Sequence, residues 1–399
     1  MRPSHLKILI TTFTYHPNAD GIAEATAVLA NGLARLGYAV TVATEYHPKR
    51  LPNSPESNPR VEQFKLSGLP HNPVAVQDDG RRYQEFLRDF QCDVIVFEAW
   101  HFWSTQLALP LLKELRAKKV LVTHGYTAHL WIRAPRFAWG LGLWVRGWPE
   151  VLAMPFRLRR YDQVVFLSAR PDRDRMIDLL VARLTGFRRR SVIPNGAFVR
   201  EFAESVLDFR AAHGIGPGPL LLCVANYGDR KNQAMALRAF RRAQIENGTL
   251  VFIGSEFNDY SEQLLQLDQS LRTAFPAGRV LLLEKINREM TCAAFRAADL
   301  FVLSAKAETQ PIVLLEAMAS HTPFLSTDVG IIAELPGGIV VNGEAEMTAN
   351  IQALFRSPRL MDELARQGWE ACQNTYDWDR VVEAYDRLLS GLAGPGAPA

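Results

Sequence analysis

Short apolar runs alternate along this chain with longer stretches in which apolar residues recur at steps of three and four. Lys7-Ile8-Leu9-Ile10-Thr11 is the first run and predicts a buried strand. A polar loop from Thr12 to Gly21 follows. Ile22, Ala25, Leu29, Leu33 and Leu36 then mark one helix face, Gly37 is placed to end that helix, and Ala39 to Ala43 returns as a strand. This is a βαβ unit. The pattern continues with strand Asp93 to Phe97, a helix around Leu107 to Arg116, strands Lys119 to Thr123 and Gln163 to Leu167, a helix after Pro171, and strand Ser191 to Ile193.

Pro194-Asn195-Gly196 punctuates the chain, and a second series begins. It reads as strand Leu220 to Val224, helix Gln233 to Arg242, strand Thr249 to Ile253, a helix from Ser261, strand Arg279 to Leu283, helix Asn287 to Ala297 and strand Asp299 to Ser304. Such alternation predicts an α/β protein with two parallel sheets, each covered by helices on both faces. The expected division is a domain over 1–195, completed by a C-terminal helix over 376–391, a second domain over 196–375, and a disordered tail over 392–399. Ligands of such sheets sit outside the carboxyl ends of the strands. Gly21, His124, Lys231, Gly254 and Glu308 all fall just after predicted strands, which places them at a ligand edge.

Composition narrows the function classes. The net charge of +3 over 399 residues, without a basic arm carrying interleaved aromatics, argues against nucleic acid as a partner. The four cysteines are scattered singly, which suits a reducing compartment better than a disulfide framework. Met1 to His5 runs straight into the first strand, and no uncharged apolar run approaches the length of a membrane span. The expected location is cytoplasmic.

The most informative stretch is Glu308-Thr309-Gln310-Pro311-Ile312-Val313-Leu314-Leu315-Glu316. Pro311 suits the first turn of a helix that runs through Ile312, Leu315 and Met318 to about Ser320. One carboxylate then lies in the loop and the other one turn inside the helix, on the same side. Between them is a helix N-terminus, whose free N–H groups and partial positive charge suit a phosphate. Lys231 directly precedes another helix, where the dipole disfavours a cation, so it needs an anionic partner; a diphosphate would serve.

Ser304 to Glu316, with Ala317-Met318-Ala319, Thr322-Pro323 and Asp328-Val329-Gly330, resembles the C-terminal signature of the retaining nucleotide-sugar glycosyltransferases of family 4. The resemblance extends over nearly the whole chain and implies a GT-B fold, two Rossmann-like domains facing across a cleft. It implies transfer of a sugar from a nucleotide diphosphate donor, with retention, to a saccharide acceptor. His124 would bind sugar hydroxyls, Lys231 would neutralise the diphosphate, Glu308 would hold the transferred sugar and Glu316 the ribose. Gly21, Asn226, Arg230, Gly254, Ile286, Thr309, Gln310, Pro311 and Ile312 would complete the donor site. Asn226 stands where the family has an arginine, with Arg230 as a candidate replacement. Thr309 and Gln310 stand where the family commonly has a glycine and an aromatic residue. No Asp-x-Asp motif stands at a strand end, so neither a metal nor another cofactor is expected.

The stretch from Trp131 to Arg160 carries four of the eight tryptophans, with six arginines and Glu150 as its one acid. Trp131, Arg133, Arg136, Trp139, Trp144 and Arg146 suit either a surface at an anionic membrane interface or a buried helix pair with its arginines reaching outward. On the first reading the acceptor is lipid-linked, the enzyme is peripheral on the inner face of the membrane, and the product belongs to the cell envelope. Two other readings remain at this level. A sugar-nucleotide epimerase would share the fold but needs acid/base residues on both sides of the sugar ring, and no such pair stands out. A non-catalytic carbohydrate-binding relic would fail to hydrolyse a donor.

Overall fold

The computed structural model describes residues 6–54, 56–67, 77–125, 151–170, 176–204 and 206–394. The chain divides into two compact units. One takes the described residues of Met1–Asn195 and Asp379–Ala399, the other Gly196–Trp378.

The first unit holds strands β1 (Lys7–Thr11), β2 (Ala39–Glu45), β3 (Arg60–Phe64), β4 (Val94–Glu98), β5 (Lys118–Val122), β6 (Gln163–Phe166) and β7 (Arg190–Val192). They pair in parallel in the order β3-β2-β1-β4-β5-β6-β7. Ile8, Leu9 and Ile10 are all fully buried, as a strand covered on both faces requires. The edge strand β3, Arg-Val-Glu-Gln-Phe, offers too few apolar residues to be read from its pattern. Asp20 caps the helix Gly21–Arg35 by accepting from the Ile22 and Ala23 N–H groups. Gly37, at φ 94°, ends that turn by donating to the Ala34 carbonyl.

The helix expected over Leu107 to Arg116 is instead a short helix, Trp103–Gln106, followed by turns. Pro110 explains the difference: it has no N–H to donate, and it disfavours helical geometry at Leu109. The C-terminal helix runs over Trp378–Ala393, two residues into the expected tail, and packs on the first unit. Its Val382 sits so close to Gly32 that any side chain there would come within 2.5 Å of it. The Tyr38 hydroxyl donates to Asp386 of the same helix.

The second unit holds β8 (Leu220–Val224), β9 (Thr249–Gly254), β10 (Arg279–Glu284), β11 (Leu300–Leu303), β12 (Phe324–Thr327) and β13 (Gly338–Val341). Their parallel order is β10-β9-β8-β11-β12-β13. Leu221, Leu250, Phe252, Leu300, Val302 and Leu325 form one continuous core with the helices that cover the sheet. The two ends of the unit lie against each other. Ala197 N donates to Tyr376 O at 2.8 Å, and a Cβ on Gly196 would meet that same oxygen at 2.7 Å.

Candidate functional site

In the second sheet the strand order reverses between β8 and β11, and the loops that leave those two strands meet there. The β8 loop is closed from within by Gln233, which is fully buried and donates to the Ala225 and Asn226 carbonyls at 3.2 and 3.1 Å. Asn232, at φ 52°, then turns the chain into the helix Gln233–Ala243. Its carbonyl accepts from Ser304 Oγ at 2.8 Å, and Arg230 O accepts from Lys306 N at 2.8 Å. Lys231 Nζ lies 2.5 Å from Glu308 Oε1, with both side chains largely shielded from solvent. The pairing answers the electrostatic difficulty of a lysine beside a helix N-terminus: Glu308 supplies the anion that the site itself lacks.

The Glu308 loop is braced from its other side. Gly330, at φ 56°, lies so close that a Cβ would come within 2.0 Å of Thr309 O, and Ile331 N donates to that oxygen at 2.9 Å. A side chain at 330 would therefore push the loop aside, which gives the Asp328-Val329-Gly330 motif its physical meaning. Thr327 Oγ1 adds a bond to Ala305 O at 2.7 Å. Pro311 is extended and is the residue before the helix Ile312–Ala319, not within its first turn; no side chain caps that helix. Its first turn therefore presents N–H groups and a partial positive charge.

Glu316 is buried on this helix and pairs with Arg288 Nη1. Arg288 in turn grips Glu201 with its other two guanidinium nitrogens, Nε donating to Oε1 at 2.9 Å and Nη2 to Oε2 at 2.7 Å. The two carboxylates of the motif thus have different cations, Lys231 for Glu308 and Arg288 for Glu316. Asn226 and Arg230 are exposed on the β8 loop, and among the described residues no carboxylate pairs with the Arg230 guanidinium. Gly254 lies beneath the Tyr227 ring, where a Cβ would meet the ring at 2.4 Å, and the Tyr227 hydroxyl accepts from Leu283 N at 3.1 Å. Ile286 is half-buried after Lys285, which has φ 55° and donates its N–H to Ser255 O.

In the first unit the corresponding reversal lies between β1 and β4. There the Phe13 and Phe102 rings stack across the two loops, and Trp100 and Trp103 nearby in the chain are buried. Burial pushes the neighbouring His101 imidazole down to about 4, so it is neutral. One strand further along, His124 follows β5 at φ 50°, and its Nε2 lies 2.6 Å from Oε2 of Glu98, the last residue of β4. Glu98 is 2 % exposed, so this carboxylate serves His124 rather than solvent. Gly21 is simply the first residue of the helix that Asp20 caps.

Trp131, Arg133, Arg136, Trp139, Trp144 and Arg146 lie outside the described residues. The described end of that stretch, the helix over residues 151–158, exposes Leu152 and Phe156 ahead of Arg159 and Arg160. Burial pushes the Cys223, Cys292 and Cys372 thiols up to about 12, which makes them poor nucleophiles. Among the described residues no His, Cys, Asp and Glu side chains group as a metal would need, and no helix is long and apolar enough to cross a membrane. Glu98, Glu201, Gln233 and Arg288 were not among the residues expected at the site. A carboxylate closing an apolar strand was the available signal for Glu98.

Comparisons with known proteins bear on both units. A family model described as Glycosyltransferase Family 4 matches residues 19–198, and one described as Glycosyl transferases group 1 matches residues 207–364. The chain is 24% identical over 408 residues to an alpha-monoglucosyldiacylglycerol synthase of Streptococcus pneumoniae, spanning 96% of this chain and 87% of that protein. A sucrose-phosphate synthase from Thermosynechococcus elongatus has a similar fold, with TM-score 0.78, 19% identity, and coverage of 97% of this chain and 99% of that one. An Anabaena protein solved in complex with UDP and glucose has TM-score 0.70 at 15% identity, covering 97% of this chain and all of that one.

Proposed function

Since this chain belongs to the family 4 glycosyltransferases of GT-B fold, we propose that it moves a hexose from a nucleotide diphosphate donor to a lipid-borne acceptor, with retention of anomeric configuration. The observation that carries this reading is the Lys231–Glu308 pair at the reversal of strand order, beside the uncapped N-terminus of Ile312–Ala319. An incoming diphosphate is a stronger anion than Glu308 and takes over the Lys231 ammonium. Glu308 is then released to accept hydrogen bonds from hydroxyls of the transferred sugar. Backbone N–H groups of Thr309, Gln310 and Ile312, with Arg230 and Asn226, complete the phosphate site. Glu316 receives the ribose hydroxyls, and Gly254 and Ile286 flank the base.

As the glycosidic bond breaks, negative charge grows on the diphosphate, and Lys231 stabilises it where it forms. Both motif carboxylates already serve cations, which favours same-face substitution over a double displacement through a glycosyl-enzyme. In that route the departing phosphate takes the acceptor proton, and the charge it needs comes from Lys231 and the helix N-terminus without a metal. The first unit is read as the acceptor side, with His124 held by Glu98 as its hydrogen-bonding group.

A lipid acceptor is supported by the similarity to a protein named for glycolipid synthesis, and by the exposed Leu152 and Phe156 beside arginines at the end of the tryptophan-rich stretch. The same features support docking on an anionic membrane, in glycolipid or envelope polysaccharide synthesis, with the cytoplasmic face as the proposed side. The test is transfer from a panel of nucleotide sugars to diacylglycerol-type acceptors in anionic vesicles, with EDTA present and the product anomer read by NMR. A product of the donor's own anomeric configuration supports the reading. An inverted product, or transfer that requires a divalent ion, overturns it.

A further inference from the structure

Arg288 is the first residue of the helix Arg288–Ala297, a position where the helix dipole disfavours a cation. Two carboxylates compensate. Glu201 accepts from the Nε/Nη2 edge of the guanidinium in a fork, at 2.9 and 2.7 Å, so Glu316 meets it through Nη1. The Phe202 ring supports the guanidinium at 5.4 Å. Phe202 in turn packs edge-on against Phe295, which stacks on Phe301 of β11, so the clamp is tied to the sheet that carries the site. Burial works against the Arg288 charge, but Glu201 and Glu316 outweigh it and hold its proton more tightly than usual. The Glu316 side chain is only 7% exposed, and a carboxylate this buried needs a cation to keep its charge.

We propose that Arg288, braced by Glu201, is a positioning residue that fixes the direction of the Glu316 carboxylate, and that this clamp makes the site select ribonucleotides over 2′-deoxyribonucleotides. The inference rests on the donor reading above. A fixed carboxylate can accept from both vicinal hydroxyls of a ribose, and a 2′-deoxyribose leaves one of those bonds unmade. A carboxylate free to turn follows whichever hydroxyl remains and discriminates little. Glu201 matters because it keeps the fork of Arg288 off Glu316. Without it the guanidinium would close on Glu316 with that same fork, tying up both carboxylate oxygens and weakening them as acceptors.

The experiment is calorimetric titration of the full chain with UDP, dUDP, GDP and dGDP. The wild-type protein should bind its preferred ribonucleotide about tenfold or more tightly than the deoxy form, as expected for a hydrogen bond to a charged group. Arg288→Ala and Glu201→Gln should each bring that ratio to within about twofold while keeping the wild-type circular dichroism and a cooperative melt. Arg242→Ala, which breaks an ion pair to Glu344 elsewhere in the unit, should leave the ratio unchanged. If Arg288→Ala does not fold, the ratio in Glu201→Gln decides, because Glu201 is partly exposed and the swap preserves its shape. Folded variants that keep the wild-type ratio, or a wild type that binds both forms equally, would overturn the clamp. A wild type that binds no nucleoside diphosphate would instead remove the donor reading.

Discussion

At the reversal of strand order the second sheet joins its two loops by an ion pair, Lys231 to Glu308, whereas the first sheet joins its loops by stacked Phe13 and Phe102 rings. The two sheets share a topology, with the central strand pair β1/β4 in one matching β8/β11 in the other. The difference teaches that the fold supplies a place and the side chains decide its chemistry. A charged pair can exchange partners, which is what the proposed donor site asks of Lys231 when a diphosphate arrives. A stacked pair offers no charge and keeps water out. In the first unit the polar pair stands one strand further on, where Glu98 holds His124.

The contrast breaks most easily at Lys231. Lys231→Met should lower turnover at saturating donor by about a hundredfold, or about 3 kcal/mol, because the leaving group loses its cation. The circular dichroism and a cooperative melt should be kept, with a lower Tm because Glu308 is left shielded without its cation. Rates within a few-fold of wild type would show that the charged reversal point is structural, like its aromatic counterpart.

The aromatic side is probed by pH. His101 has an ordinary value near 6.5 when unfolded and about 4 in the fold. Its burial as a neutral ring therefore contributes stability that is present above pH 6.5 and is lost as pH falls toward 4. The loss should be on the order of 2 kcal/mol. Urea unfolding at pH 7 and pH 4.5 should show that loss in wild type, and His101→Asn should reduce the pH dependence by a similar amount. Equal pH dependence in both proteins would place the acid-sensitive group elsewhere.

Glu98→Gln sharpens the comparison with the smallest effect. It keeps the size of the side chain and removes the charge that orients His124, so transfer should fall about tenfold, in line with a charge-assisted hydrogen bond. Hydrolysis of the donor without acceptor should hardly change. A parallel fall in both rates would assign His124 to the donor and not to the acceptor.

The α/β alternation was legible because strands such as β1 and β8 are short apolar runs, and helices such as Gly21–Arg35 carry a regular apolar stripe. Strand β3 was not, since an edge strand of mixed polarity has no distinct pattern. The turns after Gln106 were not, since Leu107, Leu111 and Leu115 keep a helical apolar spacing while Pro110 lacks the N–H that a helix needs. Lys231 and Glu308 were legible from their places after strands and beside helix starts, taken together with the family-4 resemblance of the residues around them.

By itself the sequence determined the two α/β halves, the strand ends where chemistry collects, and the charged and apolar residues available there. Those properties are local, set by periodicity, turn residues and helix polarity within a few residues. Only the tertiary structure decided the partnerships. Lys231 meets Glu308 across 77 positions, and Arg288 meets Glu201 across 87. Which cation serves which carboxylate depends on strand order and side-chain packing. Both arise when distant segments are brought together to bury a shared core, and no local pattern records that.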